Sequence, residues 1–420
     1  FGNPYFGSWG HKYEIPREQR DNIEKSKYIW FSHGHPDHLD PDTLKLFKNN
    51  RNTILLPDHY GDRIFNDLVK DYKCIRIKSN EWFKISKNIR IISFADWNQD
   101  ATIIIEIQKK DLILNLNDGY ARGWSNSIKK IMKTGKNTFL LKGIGWAPAD
   151  MINIYDENQK FIEPIAAKKK NLGPIYKASM INWNCNFAIP FSVFHEFRRE
   201  DSRHMAKYGT PIEAHKKGFK SKHRCILPPF IRWDSNKSDY YQIKTKKNNI
   251  KVISPDEIGD SWNDELEKLD KELIKIYFNK IDHLKNYFGS LTFRVAKKDF
   301  TLKLSNHKAS IIFEVPRNSL LSAIKYNIFD DLLIGNFMKV TLINVRSLYP
   351  NFSPFVAKYA DNGFSSSSSD LENYFNFYKL NSVDYWRDMF FAQSEDIFRK
   401  NVSTNNPIWN LAKYMKTFLV

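Results

Sequence analysis

Residues Phe31-Ser32-His33-Gly34-His35-Pro36-Asp37-His38-Leu39-Asp40 place three histidines and an aspartate within six positions. The stretch before them, Lys27 to Phe31, reads as a buried strand. Asp40 followed by Pro41 reads as an N-cap and first-turn proline, with Leu44 and Phe47 on one helix face. The polar cluster therefore falls at a strand-to-helix turn. A tight turn there can aim His33 and His35 at one metal ion, and Asp37 and His38 at a second. Imidazole and carboxylate are the usual ligands of zinc and non-haem iron. Two adjacent divalent ions can hold a bridging hydroxide, a strong nucleophile at neutral pH. Four polar residues in an ordinary surface turn are the bland alternative, and three histidines so close behind a buried strand argue against it.

The rest of the first half fits a layered α/β fold, because strand patterns alternate with helix patterns. Thr53 to Leu56, Cys74 to Ile77, Ile89 to Phe94, Thr102 to Ile107 and Leu112 to Leu116 read as strands, and Gly61 to Lys70 as a helix. Pro148 to Pro229 is less regular. Asp234 to Asn249 is polar and Lys-rich and reads as a linker or an exposed excursion. Asp264 to Tyr287 then reads as one long amphipathic helix, with Leu266, Leu269, Leu273 and Ile276 at helical spacing and Gly289 beyond its end. Leu291 to Val295, Phe300 to Leu304, Ala309 to Val315 and Met338 to Val345 alternate like strands. Ser365 to Ser369 reads as a flexible loop, and Leu371 to Phe418 as mostly helical. The expected division is a catalytic domain over 1–233, a linker over 234–260 and an α+β accessory domain over 261–420.

The H-x-H-x-D-H pattern resembles that of the metallo-β-lactamase superfamily. The resemblance implies an αββα sandwich. It puts His33 and His35 on one metal ion and Asp37 and His38 on another, with Asp37 also the candidate catalytic residue. Asn115-Leu116-Asn117-Asp118-Gly119 follows an apolar strand where the family carries a bridging aspartate, so the resemblance makes Asp118 that ligand. The alternative is an ordinary Asp-Gly turn. The family's next histidine has no counterpart in Ile91-Ile92-Ser93-Phe94-Ala95-Asp96-Trp97. Asp96 stands in its place, either as a ligand or as a loop cap. The last ligand is expected at His195, after Phe191-Ser192-Val193-Phe194, with His204, His215 and His223 as rivals in a basic loop.

Phe1-Gly2-Asn3-Pro4-Tyr5-Phe6-Gly7-Ser8-Trp9, the strand pair Asp100 to Asp118, and Phe187-Ala188 ahead of His195 are similar to cytidine-monophosphate N-acetylneuraminate hydroxylase-like proteins. Their wider relatives include L-ascorbate-6-phosphate lactonase-like hydrolases. This likeness covers about residues 1 to 230. The superfamily's first strands normally precede the residues that open this chain, and Phe1 is not Met, so N-terminal strands are expected to be missing. The hydroxylases also carry a Rieske centre, which needs paired Cys and His. Cys74, Cys185 and Cys225 lie far apart and form no such pair.

Lysine and arginine outnumber aspartate and glutamate 65 to 47, a net charge of +18. That balance favours an anionic partner, or else simply reflects a solvated basic surface. The leading expectation is a metal-dependent hydrolase holding two divalent ions, zinc first and iron as the alternative, and acting on an anionic small molecule. Lys168 to Lys170, or Arg198 and Arg199, are the residues expected to hold that anion. The runner-up is an iron-dependent hydroxylase acting on a nucleotide sugar with a separate electron donor. A nuclease is the third reading, though no basic-aromatic RNA-binding motif is present. No apolar run reaches bilayer length, no secretory leader opens the chain, and three scattered cysteines make no disulfide framework. A cytoplasmic location is the expectation, and self-association is left open.

Overall fold

A computed structural model describes residues 2–47, 52–147, 151–359, 361, 363–402 and 408. Its first element of note is a three-stranded parallel sheet. Thr53–Pro57 lies between Tyr28–Trp30 and Cys74–Ile77. All five residues of the middle strand are buried. Ile54 and Leu56 pack with Phe31, Leu44 and Leu68, beneath the helices Pro41–Lys45 and Arg63–Leu68. Leu55 points the other way and meets Ile77, Ile91 and Ile103. Alternate residues of a strand face opposite sides. With both sides covered, the strand reads as a continuous apolar run.

Ile91 and Ile103 belong to a second, seven-stranded sheet. Its order is Cys225–Ile226, Phe187–Pro190, Asn137–Lys142, Asp111–Asn117, Ala101–Ile107, Ile89–Ala95 and Trp82–Lys84. The four strands from Trp82 to Asn117 pair antiparallel, and the later ones join in parallel. Ile92, Phe94, Ile104, Leu112, Leu114 and Leu116 face away from the first sheet. They pack on Ile128 and Met132 of the helix Ser125–Met132, and on Tyr176 and Met180 of the helix Gly173–Asn182. The layers therefore run helix, sheet, sheet, helix. The chain is a mixed α/β protein, as expected. Each fully buried leucine or isoleucine in these layers stabilises the fold by about 1.5–3 kcal/mol.

The C-terminal half builds its own core on a five-stranded sheet, ordered Ile154–Tyr155, Lys339–Ile343, Ser310–Glu314, Ser290–Val295 and Lys298–Lys303. Its edge strand Ile154–Tyr155 comes from the first half of the chain. The link also runs in reverse. Tyr374, Tyr378 and Tyr385 pack on Ala95 and Trp97. Asp388 accepts hydrogen bonds from Gly123 N and Ser125 Oγ, both at 2.8 Å. Among the described residues no helix is long and apolar enough to cross a membrane.

Segment 234–260, expected as a linker or an exposed excursion, is exposed over Asp239–Gln242 and packs only towards its end. Asp239–Gln242 forms a hairpin with Ile231–Asp234, Ile253 pairs with Arg199, and Asp260 is buried. Two expectations are corrected here. The long helix expected over Asp264 to Tyr287 is two helices, Lys268–Asn279 and Asp282–Lys285, parted at the buried Ile281. Its face is also turned. Leu269, Leu273 and Ile276 are exposed, while Ile274, Tyr277 and Phe278 are buried. Asp270 sets this rotation: its carboxylate accepts from Glu267 N at 2.8 Å and from Arg317 Nε at 2.7 Å. The aromatic pair also removes more apolar area from water than the leucines would. Finally, Ser365 to Ser369 is loop only in part, because a helix begins at Ser368 and runs to Asn381, followed by another over Tyr385–Asn401. The end of the expected C-terminal helical stretch, 403–407 and 409–420, lies outside the described residues.

Candidate metal centre

The strand Tyr28–Trp30 stays paired through Phe31, whose N–H donates to Leu55 O at 3.2 Å. The chain then leaves the sheet. The N–H groups of His38 and Leu39 both donate to His35 O, at 2.9 and 2.8 Å, which closes a tight turn. Asp40 ends it by capping the next helix, its Oδ1 accepting from Thr43 N at 2.7 Å, with Pro41 at the first helical position. Cap and proline satisfy the helix start that this sequence signals. The turn gathers three imidazoles. The His33 ring centre lies 4.6 Å from that of His35 and 4.4 Å from that of His38.

Carboxylates from distant segments meet these rings. Asp118 follows the strand Asp111–Asn117. Asn117 adopts a left-handed backbone with φ of 53°, which asparagine tolerates better than most residues. That bend sends Asn117 Nδ2 to Ser32 Oγ and leaves Asp118 Oδ2 3.0 Å from His38 Nε2 and 4.0 Å from His33 Nε2. Asp37 Oδ2 lies 3.3 Å from the same His38 nitrogen, while its Oδ1 accepts from Tyr5 OH at 2.5 Å. His33 Nε2 lies 2.8 Å from His35 Nδ1. Two groups able to hold a metal ion result, His33–His35–Asp118 and Asp37–His38–Asp118, and Asp118 belongs to both. A third group is His35–Asp330–Asp331.

The sequence reading did not single out Asp100, Asp330, Asp331 or Tyr5. Asp100 Oδ1 lies 3.3 Å from His33 Nδ1. Asp330 and Asp331 sit on the helix Phe329–Gly335, every residue of which is buried. Two aspartates inside the apolar run Ile328 to Ile334 were a usable signal, because buried charge is rare without a partner.

Asp96 and His195, both expected as ligands, belong to none of the three groups among the described residues. Asp96 is buried, accepts from Asn98 N at 2.8 Å and faces Arg122 at 3.7 Å. These are the contacts of a loop cap, one of its two alternatives. His195 lies on the strand His195–Phe197, which pairs with Trp9–His11, and its ring stacks on Trp9 at 3.6 Å. Burial lowers it to about 4, against the charge of nearby Asp37. The rivals also lie apart from the cluster: His215 is buried against Tyr176, and His223 is exposed. Arg199, an expected anion ligand, is fully buried between Asp201 at 2.8 Å and Asp260 at 2.7 Å. It is a structural ion pair. Lys168 to Lys170 are exposed.

The electrostatics fit a cation. None of Asp37, Asp100, Asp118, Asp330 and Asp331 is ion-paired with a lysine or arginine among the described residues. Burial and then neighbouring Asp96 and Asp118 push Asp100 up to about 7. Burial and then Asp330 push Asp331 well above the usual carboxylate range. Burial would lower His35, but the hydrogen bond and charge of Asp330 outweigh it and hold the ring at about 10. Burial would raise Asp37, but His38 and then His35 hold it at about 2. Imidazoles and carboxylates packed this closely, with no lysine or arginine paired to them among the described residues, are a donor set suited to zinc, iron or manganese. No protein-family model matches the chain, and no curated protein matches it.

Proposed function

We propose that this chain is a metal-dependent hydrolase of the metallo-β-lactamase type, holding two divalent ions and acting on an anionic small molecule. The observation that carries the reading is the sharing of Asp118 between the His33–His35 pair and the Asp37–His38 pair. One carboxylate common to two ligand groups is able to bridge a pair of adjacent ions. The helix–sheet–sheet–helix order of the N-terminal layers agrees with the sandwich that the H-x-H-x-D-H resemblance implies.

The ions, when bound, would supply an activated water and an electrophile for the scissile group. The protein's own residues prepare the ligand atoms. Ser32 Oγ at 2.9 Å and Asp100 Oδ1 at 3.3 Å occupy the Nδ1 side of His33, which leaves Nε2 for an ion. Tyr5 donates to Asp37 Oδ1, so that Oδ2 remains directed at the side where His38 and Asp118 meet. The net charge of +18 supports an anionic substrate.

Elemental analysis of purified protein tests the reading, with His38→Ala and Asp118→Ala beside it. About two zinc or manganese ions per chain, reduced in both variants, together with turnover of phosphodiesters, lactones or amides, is the expected result. Iron with oxygen-dependent turnover would replace hydrolysis by hydroxylation. Absence of metal after reconstitution would overturn the site.

A further inference from the structure

We infer that Asp330, supplied by the C-terminal half, is the positioning residue for His35 in the metal centre; this rests on the metal-centre reading above. Asp330 Oδ2 lies 3.1 Å from His35 Nε2, while His35 Nδ1 faces His33 Nε2 at 2.8 Å. A carboxylate on Nε2 selects the tautomer with its proton there. In the neutral ring that an ion would bind, the lone pair is then on Nδ1, on the side of His33. A metal-ligating histidine commonly donates its outer N–H to a carboxylate, which fixes the ring and raises its basicity. The outer Nδ1 of His33 instead lies 2.9 Å from Ser32 Oγ and 3.3 Å from Asp100 Oδ1, both from its own half of the chain.

Asp330 is itself held. It is buried on the helix Phe329–Gly335, and its N–H donates to Asp361 Oδ2 at 3.4 Å. Asp361 Oδ1 accepts from Tyr277 OH, and Tyr277 is part of the C-terminal core. A continuous chain of buried polar contacts therefore joins His35 to the core of the other half. The aspartate 295 positions away completes a histidine that the motif alone leaves free to rotate. Metal affinity and the packing of the two halves are linked in consequence, since whatever holds His35 in place also holds Asp330.

The test is a cobalt(II) titration of metal-stripped full-length protein, read by the visible d–d spectrum. Wild type, Asp330→Asn and Asp330→Ala are compared. The expected result is two ions in wild type and affinity weakened about 10–100-fold for one of them in Asp330→Ala, with an altered spectrum. Asp330→Asn, which keeps an acceptor oxygen, should lose less. Equal affinity and spectrum in all three, with only thermal stability changed, would make Asp330 merely structural and overturn the inference. No cobalt bound by wild type would instead sink the metal centre itself. Nitrogen NMR of the zinc-loaded wild type needs no variant: a proton on His35 Nε2 supports the inference, and a proton on Nδ1 overturns it.

Discussion

Asp100 Oδ1 sits 3.3 Å from His33 Nδ1, and Asp96, four positions earlier in the same turn, faces Arg122 instead. The two aspartates are expected to behave differently when neutralised. Asp100→Asn should weaken metal binding about 10–100-fold with little loss of stability. Asp96→Asn should leave metal content near that of wild type and cost up to about 3 kcal/mol, because the partly buried Arg122 loses its charge partner. Metal analysis and denaturant melts of both variants decide this. A loss of metal in Asp96→Asn would restore Asp96 as a ligand.

Trp9 and His195 stack at 3.6 Å with their planes 6° apart. His195→Phe keeps the stack and removes the ring nitrogens, so the protein should stay folded and keep its metal. Trp9→Ala should cost about 3–5 kcal/mol through the cavity it leaves. Loss of one ion in His195→Phe would show that His195 is a ligand after all.

His59 and His215 are both lowered by burial from 6.5 to about 4. Unfolding lets them take up protons once the pH drops below 6.5, and the folded protein resists until about 4. The stability they contribute is thus complete above pH 6.5 and falls steadily towards pH 4, by up to roughly 3 kcal/mol for each residue. Melting temperatures of wild type and His215→Gln from pH 7.5 to 4.5 provide the check. The variant should have the shallower pH dependence, and an identical slope would remove His215 from the account.

The rotated helix Lys268–Asn279 gives a sharp contrast between neighbours. Ile274→Ala should destabilise by about 2–5 kcal/mol, as a buried isoleucine does. Leu269→Ser, at an exposed position, should change stability by less than about 0.5 kcal/mol. Chemical denaturation of the two variants compares them directly, and the reverse order would return the leucine stripe to the core.

Much of this protein was legible in its residues one segment at a time. The run Thr53 to Leu56 reads as a strand from its β-branched and leucine side chains, and the structure shows it covered on both sides. Asp40-Pro41 specified its helix start through local hydrogen bonding alone. His33, His35, Asp37 and His38 lie within one turn, so the chain's own geometry forces them together. Other facts were beyond local reasoning. Leu269 and Ile274 fit helical periodicity equally well, and only the Arg317–Asp270 pair and the aromatic core decided which face turned inward. Asp96 alone stood in the family's position in the sequence, and the shape of one loop brought Asp100 beside His33 and turned Asp96 to Arg122. Asp330 carries no signal linking it to His35, because a contact across 295 positions exists only once two hydrophobic cores have packed against each other. Short-range order follows from backbone and side-chain preferences within a few residues. The completion of the centre depends on which buried surfaces meet, and that is a property of the whole packed molecule.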